Sequence, residues 1–269
     1  MGSNYAEFSF FTEESNETKV TRQSIEKLIY QKLNFKFDYN LSLLDVGASD
    51  GKMFLPLVKS LQSKFNKLNY VALEPDADAY KQLQINLVKS GLSNFTALNL
   101  TAQDYLFRKQ FINNYFDCIL FSQSFYHIPR KAWFKVINNS INRLRNNGFI
   151  IIILDSFEGP AYNLVDLITE NKTQIDTFEY GYLISAEEME ELLFAHKVNF
   201  LTNSFSMEIK LKDRSGVKSL ARVLGFLYRR DWQFILNNYY KEVCELYEKK
   251  LKNSSRLENT VKIITISKE

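Results

Sequence analysis

The stretch Leu41–Phe54, LSLLDVGASDGKMF, decides the fold of this 269-residue chain. An apolar run reaches Asp45, the small-residue turn Gly47-Ala48-Ser49-Asp50-Gly51 follows, and a helical pattern begins after it. This order predicts a buried strand, a tight turn and a helix N-terminus, an arrangement that often holds a nucleotide-like cofactor. Glycine suits the turn because a backbone in contact with a ligand has no room for side chains. The same letters also fit G-x-S-x-G, the nucleophile elbow of hydrolases, with Ser49 as the nucleophile.

Strands and helices alternate through the rest of the chain. Strands are predicted at 41–46, 70–73, 95–98, 116–121, 149–154, 198–209 and 260–267. Helices are predicted at 21–33, 52–64, 76–90, 129–145, 186–196, 216–228 and 231–252. Such alternation is typical of a parallel, doubly wound sheet. We therefore predict an α/β fold with a seven-stranded, mostly parallel sheet and a helical substrate cap.

Four segments follow from this pattern. We predict an N-terminal substrate-covering segment with a helix at 1–39, a core at 40–210, a helical cap insertion at 211–258 and a last core strand at 259–269.

Composition limits the partners. A net charge of +3 is too weak to favour a nucleic-acid surface. No apolar run approaches the ~18 residues of a membrane span, and Cys118 and Cys244 lack metal-ligand spacing, so we read them as free thiols. We expect a cytoplasmic monomer or homodimer that binds a small molecule, with no nucleic-acid or membrane partner and no bound metal.

Polar side chains fall at the ends of three predicted strands, at what should be one edge of the sheet. They are Asp45, Glu74 and the pair Gln103-Asp104. Ligands of open α/β sheets bind outside the carboxyl ends of the strands, and an acid after the second strand can accept both hydroxyls of a ribose. A dinucleotide and S-adenosylmethionine both fit. The turn is not G-x-G-x-x-G, and Gln103-Asp104 suits an adenine ring better than a pyrophosphate.

The hydrolase alternative is rejected because the histidine partner of Ser49 is missing. It needs a histidine late in the chain that can reach Ser49. The sequence has two histidines, of which His127 comes too early and His196 lies in a helical pattern.

The motifs taken in order resemble a known family. DVGASDG, YVALEP, FTALNLTAQDY, FDCIL and RLRNNGFIIIIL, over about 40–155, look like the successive motifs of class I S-adenosylmethionine-dependent methyltransferases. Within that superfamily the chain most resembles the histamine N-methyltransferase family, through SQSFYHI at 122–128, the spacing of Tyr5 to Ser15-Asn16-Glu17, and the final strand ENTVKIITISKE at 258–269.

The resemblance and the turn together imply a set of site residues. The predicted cofactor contacts are Asp45, Gly47, Ala48, Ser49, Gly51, Glu74, Pro75, Ala79, Ala102, Gln103 and Ser122. The predicted substrate contacts are Glu17, Gln123, Tyr126, His127 and Asn259. We assign Glu17 and Gln123 the catalytic roles, and Tyr126 and His127 are candidates for a pocket wall and a base.

The leading hypothesis is an enzyme that methylates the nitrogen of a compact amine or N-heterocycle, similar to histamine, with S-adenosylmethionine as donor and S-adenosylhomocysteine as product. The alternatives are an O- or N-methyltransferase of a secondary-metabolite pathway, an RNA or protein methyltransferase, and a catalytically silent cofactor-binding protein. Metal is not expected, because several carboxylates would be needed after the fourth strand.

Overall fold

A computed structural model describes residues 15–33, 39–158, 185–210, 216–228, 231–248 and 256–268. The first fourteen residues of the predicted substrate-covering segment lie outside these ranges. So do parts of the predicted cap, at 211–215, 229–230 and 249–255.

The first part of the chain alternates helices and strands. Its elements are α1 (Glu17–Lys32), β1 (Asn40–Val46), α2 (Leu55–Lys64), β2 (Lys67–Leu73), α3 (Ala77–Ser90), β3 (Phe95–Leu98), α4 (Ala102–Phe107) and β4 (Phe116–Ser122). Short 3₁₀ turns follow at Lys109–Phe111, Phe125–His127 and Arg130–Ala132.

The second part completes the sheet. Its elements are α5 (Trp133–Asn142), β5 (Leu144–Asp155), α6 (Ala186–Ala195), β6 (Leu201–Lys210), α7 (Val217–Tyr228), α8 (Trp232–Leu246) and β7 (Arg256–Ser267). The strands form one seven-stranded sheet in the order β3-β2-β1-β4-β5-β7-β6. Neighbouring strands from β3 to β5 pair in parallel. The predicted doubly wound α/β fold with a mostly parallel, seven-stranded sheet is confirmed.

The central strands form the core. Phe149–Leu154 is fully buried along its whole length, as a strand covered on both faces should be. The strand β4 is buried throughout, and β1 is buried after its first residue. Burying these continuous apolar runs is the main favourable term that holds the sheet together.

The chain divides into two compact units, and each is described by itself. The first unit comprises residues 1–20, 155–187 and 204–262, and the second comprises 21–154, 188–203 and 263–269. No helix in the described ranges is long and apolar enough to cross a membrane.

Some predicted boundaries were wrong for local reasons. The helix predicted from residue 52 begins at Leu55, because the turn that starts at Gly51 continues through Phe54. Pro129 does not open α5 directly, since its extended backbone (ψ 132°) leads first into the 3₁₀ turn. The fifth strand begins at Leu144 rather than 149, so the predicted helix 129–145 ends earlier, at Asn142. The last strand begins at Arg256 rather than 260.

Candidate functional site

Strand registers bring the ends of β1 to β4 to one edge of the second unit. Val46 lies opposite Leu73 on one side and Phe121 on the other, and Leu73 lies opposite Leu98. The residues that follow these strands therefore meet at the carboxyl edge of the sheet, where ligands of open α/β sheets bind.

The turn after β1 is tight and closely packed. Gly47 has φ +80°, and a Cβ atom there would lie 2.7 Å from Cβ of Ser124. Gly51 has φ +79°, and its Cβ would lie 2.7 Å from a methyl carbon of Leu83. The N–H groups of Gly47 and Ala48 both donate to the carbonyl of Leu73 at 2.9 Å. The turn thus requires glycine for backbone angle and for space.

Glu74 is held in place by backbone groups on both sides. Its Oε2 accepts from Ser49 N at 2.8 Å and its Oε1 accepts from Asp76 N at 2.9 Å. Each carboxylate oxygen still has a lone pair for another donor. Burial raises the pKa of Glu74 above its ordinary value, against the lowering effect of these two hydrogen bonds. A pre-positioned carboxylate with acceptor capacity left over suits the two hydroxyls of a ribose.

Asp45 lies inside β1, one residue before its end, and not at the strand end as predicted. It is 1% exposed, and Tyr70 Oη donates to its Oδ2 at 2.7 Å. Its Oδ1 has no hydrogen-bond partner among the described residues. Burial raises the pKa of Asp45 to about 7, with a further rise from the charge of Glu74. The buried, open oxygen fits an ammonium group such as that of a bound amino acid.

The segment after β3 forms the start of α4. Thr101 caps this helix, since its Oγ1 accepts from Asp104 N at 3.0 Å. The Asp104 carboxylate already accepts hydrogen bonds from two side chains near it in sequence, Thr101 Oγ1 and Arg108. Ala102 is buried and Gln103 is half-buried. Of the predicted Gln103-Asp104 pair, Gln103 is therefore the better candidate for a ligand contact.

The other two predicted cofactor contacts come from the start of α3. Pro75 is exposed between β2 and the helix, and Ala79 is half-buried in the first helical turn. The N–H groups of Asp78 and Ala79 both donate to the Asp76 carboxylate, which caps α3. The capping fixes the backbone of this turn next to Glu74.

The end of β4 carries a strained backbone and two buried hydroxyls. Gln123 has φ +51°, an uncommon value for a residue other than glycine. Its N–H donates to the carbonyl of Ile153 on β5 at 3.0 Å, which fixes the turn to the sheet. Ser122 and Ser124 are 8% and 7% exposed, and neither hydroxyl has a partner in the described part of the chain.

The 3₁₀ turn that follows anchors this loop. Phe125 is buried, with its ring centroid 4.8 Å from that of Phe121 and 6.3 Å from that of Trp133. Trp133 is 3% exposed and belongs to the core. Tyr126 is half-buried and His127 is exposed at the surface. The buried phenylalanine therefore holds the loop, and Tyr126 and His127 project from a fixed backbone.

The remaining predicted substrate contacts belong to the first unit. Glu17 is 6% exposed at the start of α1, and its N–H donates to Ser15 Oγ at 2.9 Å. Ser15 pairs with Ile209 on β6 in an antiparallel bridge, which attaches this segment to the sheet. Asn259 on β7 is 1% exposed and donates to Asp155. Glu17 and Asn259 are thus both buried polar groups in one unit.

Sequence reasoning missed two residues of the second unit. Tyr70 binds Asp45 through its hydroxyl, but in the sequence it is an ordinary aromatic strand residue. Ser124 packs against Gly47, and its buried hydroxyl has no hydrogen-bond partner within the described ranges. The small serine two residues after β4 was the one available signal for it. No cluster of three or more metal-ligating side chains occurs in the described ranges.

The chain matches one family model in part. Residues 43–148 match the model described as a methyltransferase domain. This range contains most of β1, all of β2 to β4, the glycine turn, Glu74 and Gln123. No curated protein matches the chain significantly.

Solved structures share the fold at low identity. The YcgJ protein of Bacillus subtilis is 12% identical, with a TM-score of 0.56 over 89% of this chain and 96% of that one. The plantazolicin methyltransferase BamL is 17% identical, with a TM-score of 0.55 over 97% and 89%. The magnesium protoporphyrin IX methyltransferase of Synechocystis PCC 6803 is 9% identical, with a TM-score of 0.52 over 91% and 81%. Together these three structures establish the fold.

Proposed function

We propose that this S-adenosylmethionine-dependent methyltransferase acts on a small-molecule acceptor, at the nitrogen of a compact amine or N-heterocycle similar to histamine. The observation that carries the acceptor assignment is the geometry of Gln123, which stands at the end of β4 with φ +51°. Strained backbone of this kind persists where the surrounding structure enforces it, and it clusters at ligand-binding sites. This backbone fixes the position from which the side-chain amide of Gln123 extends. The amide has a donating and an accepting end, so Gln123 is suited to orient an acceptor by hydrogen bonds.

The residues of the second unit fit the donor. Glu74 would take the ribose hydroxyls, Asp45 the ammonium group, and Ala102 with Gln103 the adenine. The bound donor supplies an electrophilic methyl group on a sulfonium sulfur. What these side chains contribute is a fixed position and exclusion of water, which is the main protein contribution to an in-line displacement.

Acceptor recognition rests on buried polar groups. A nitrogen nucleophile must be neutral to react, so the protein must favour or create the deprotonated amine. Glu17 is suited to bind an N–H or ammonium group away from the reacting nitrogen, and Gln123 and Asn259 to orient the acceptor. His127 is exposed at the surface and is the candidate to take up the released proton.

Substitution of Gln123 tests this proposal. We expect Gln123→Ala to lower turnover by roughly 10²-fold through loss of acceptor orientation, with the affinity for S-adenosylhomocysteine nearly unchanged. Turnover is measured by radiolabelled methyl transfer to a panel of biogenic amines, N-heterocycles and phenols, and affinity by calorimetry. Gln82→Ala is the matched control, because Gln82 lies half-buried on α3 with its amide bonded to Asn86.

Two results would contradict the proposal in different ways. An equal loss of turnover and cofactor affinity in Gln123→Ala would assign Gln123 to the cofactor. Transfer to phenols with none to amines would replace the nitrogen acceptor with an oxygen one.

A further inference from the structure

A buried amide and a buried carboxylate meet on neighbouring strands of the first unit. Asn259 Nδ2 on β7 donates to Oδ1 of Asp155, the last residue of β5, at 3.0 Å. Asn259 is 1% exposed and Asp155 is 8% exposed. The amide oxygen of Asn259 is also buried, yet it has no hydrogen-bond partner among the residues that the structure describes. Leaving a buried acceptor unpaired costs free energy, so such an atom calls for an explanation.

The chemistry of the pair fixes which way the amide faces. An ionised carboxylate can only accept hydrogen bonds, whereas an amide has one donating and one accepting end. Asp155 therefore holds the NH₂ end of Asn259 and turns its Oδ1 away from the carboxylate. Without the acid, the two ends of the amide could exchange places.

The backbone that carries Asp155 is itself held firmly. Ser156 N donates to the carbonyl of Thr260 on β7 at 2.9 Å, and Phe157 N donates to Glu187 Oε2 at 3.0 Å. Glu187 also accepts from the hydroxyl of Ser156 and from Lys262 Nζ. These contacts tie the end of β5 to β7 and α6, so the carboxylate stays beside Asn259.

We propose that Asp155 is a positioning residue that orients the Asn259 amide so that Oδ1 accepts a hydrogen bond from an N–H group of the methyl acceptor. The inference rests on the proposed function for the identity of the acceptor. Beyond the proposed function, the inference is that the first unit selects acceptors that carry a hydrogen-bond donor. The selecting atom is Asn259 Oδ1, whose direction Asp155 sets.

The orientation is tested without any acceptor. In ¹⁵N-labelled protein, the side-chain NH₂ signal of Asn259, assigned by its loss in Asn259→Leu, should be shifted downfield and protected from exchange. Asp155→Asn keeps the shape of the side chain but can bond either end of the amide, so the shift and the protection should be lost. An unchanged Asn259 signal in Asp155→Asn would overturn the orienting role.

The link to acceptor binding is tested with histamine, added to protein saturated with S-adenosylhomocysteine. The Asn259 signal should shift on titration, and Asp155→Asn should raise the KM for histamine roughly tenfold with smaller changes in kcat and cofactor affinity. In the double variant Asp155→Asn/Asn259→Asp, position 259 again offers an oxygen while position 155 donates to it, so the KM should recover. Thr265→Val is the control, because this buried β7 hydroxyl also lacks a partner in the described ranges.

The outcomes separate this inference from the proposed function. If no amine of the panel is methylated while the Asn259 signal behaves as expected, the proposed acceptor class is wrong and the orienting role stands. If histamine is methylated but Asp155→Asn leaves its KM unchanged, or the double variant fails to recover it, the acceptor role of the pair is wrong and the proposed function stands.

Discussion

At the scale of single residues, Asp45 is a predicted cofactor contact whose charge state changes near neutral pH. Burial raises its pKa to about 7, and its open Oδ1 is the candidate partner for an ammonium group. Only the ionised form attracts that group strongly, and at a pKa of about 7 the ionised fraction rises from about one tenth at pH 6 to about nine tenths at pH 8. We therefore expect affinity for S-adenosylhomocysteine, measured by calorimetry, to rise roughly tenfold across this range.

Two variants test whether the titration of Asp45 causes this pH dependence of the affinity. Asp45→Asn should remove the pH dependence and bind as weakly at pH 8 as the wild type does at low pH. Tyr70→Phe should move the midpoint to higher pH, because the Tyr70 hydroxyl lowers the pKa of Asp45. A pH profile that Asp45→Asn leaves intact would assign the titration to another group.

The raised pKa of Asp45 also affects the folding stability of the ligand-free protein. The folded pKa of Asp45, about 7, lies above the ordinary value of 3.8, so the folded state holds the proton more tightly. Asp45 therefore contributes stability that is fully present below about pH 4 and is lost as the pH rises through about 7. Bound ligand should offset this loss, because the ammonium group would favour the ionised form.

Residue types were easier to predict than their partners. The acid of Glu74 and the small residues of the turn could be identified because they are spaced as in a strand, turn and helix. The Asp45–Tyr70 pair could not, since it joins residues 25 positions apart on two strands and depends on register. The φ of +51° at Gln123 was also hidden, because glutamine carries no sequence signal for a left-handed backbone.

At the scale of elements, the turn between β1 and α2 depends on Gly47 for two reasons that can be separated. Its φ is +80°, and a Cβ would lie 2.7 Å from Cβ of Ser124. Gly91, which ends α3, has a similar φ of +73° but no atom within 4 Å of its Cβ position. Gly91→Ala should thus show the backbone strain alone, and Gly47→Ala should show strain and steric overlap together.

We expect Gly91→Ala to lower the free energy of unfolding by about 1 kcal/mol. Gly47→Ala should lower it by roughly 2–4 kcal/mol and weaken S-adenosylhomocysteine binding, because the loop after β4 must move. Denaturant unfolding and calorimetry measure the two quantities. Equal destabilisation by both substitutions would mean that the contact with Ser124 adjusts freely and that only the backbone angle matters.

Elements of the core were predictable because local and tertiary preferences agree there. The run FIIIIL is apolar and β-branched, and the structure buries it completely. The helix predicted at 76–90 ends at Ser90, and Gly91 after it takes the left-handed conformation. Boundaries failed where tertiary pairing extends an element beyond its apolar run: β5 begins five residues early and β7 begins four residues early. Both extensions consist largely of polar residues, which give no strand signal of their own.

At the scale of the whole molecule, the predicted cofactor contacts all fall in the second unit, whereas two of the five predicted acceptor contacts fall in the first. All eleven predicted cofactor contacts lie within residues 45–122, in the second unit, whereas Glu17 and Asn259 lie in the first. Ligands should therefore protect separate parts of the chain. A ligand at a hundred times its Kd stabilises the folded state by about 2.7 kcal/mol, enough to reduce local opening where it binds.

Hydrogen exchange followed by mass spectrometry tests this division. Saturating S-adenosylhomocysteine should protect peptides that cover residues 43–52, 70–80 and 99–126, and leave 204–210 and 256–262 unchanged. Adding histamine should then protect 15–20 and 256–262, because Glu17 and Asn259 become hydrogen-bonded to it. Asn259→Leu should abolish the second effect and preserve the first. Protection of 256–262 by S-adenosylhomocysteine alone would contradict the division, since it would show that the first unit responds to the cofactor before any acceptor binds.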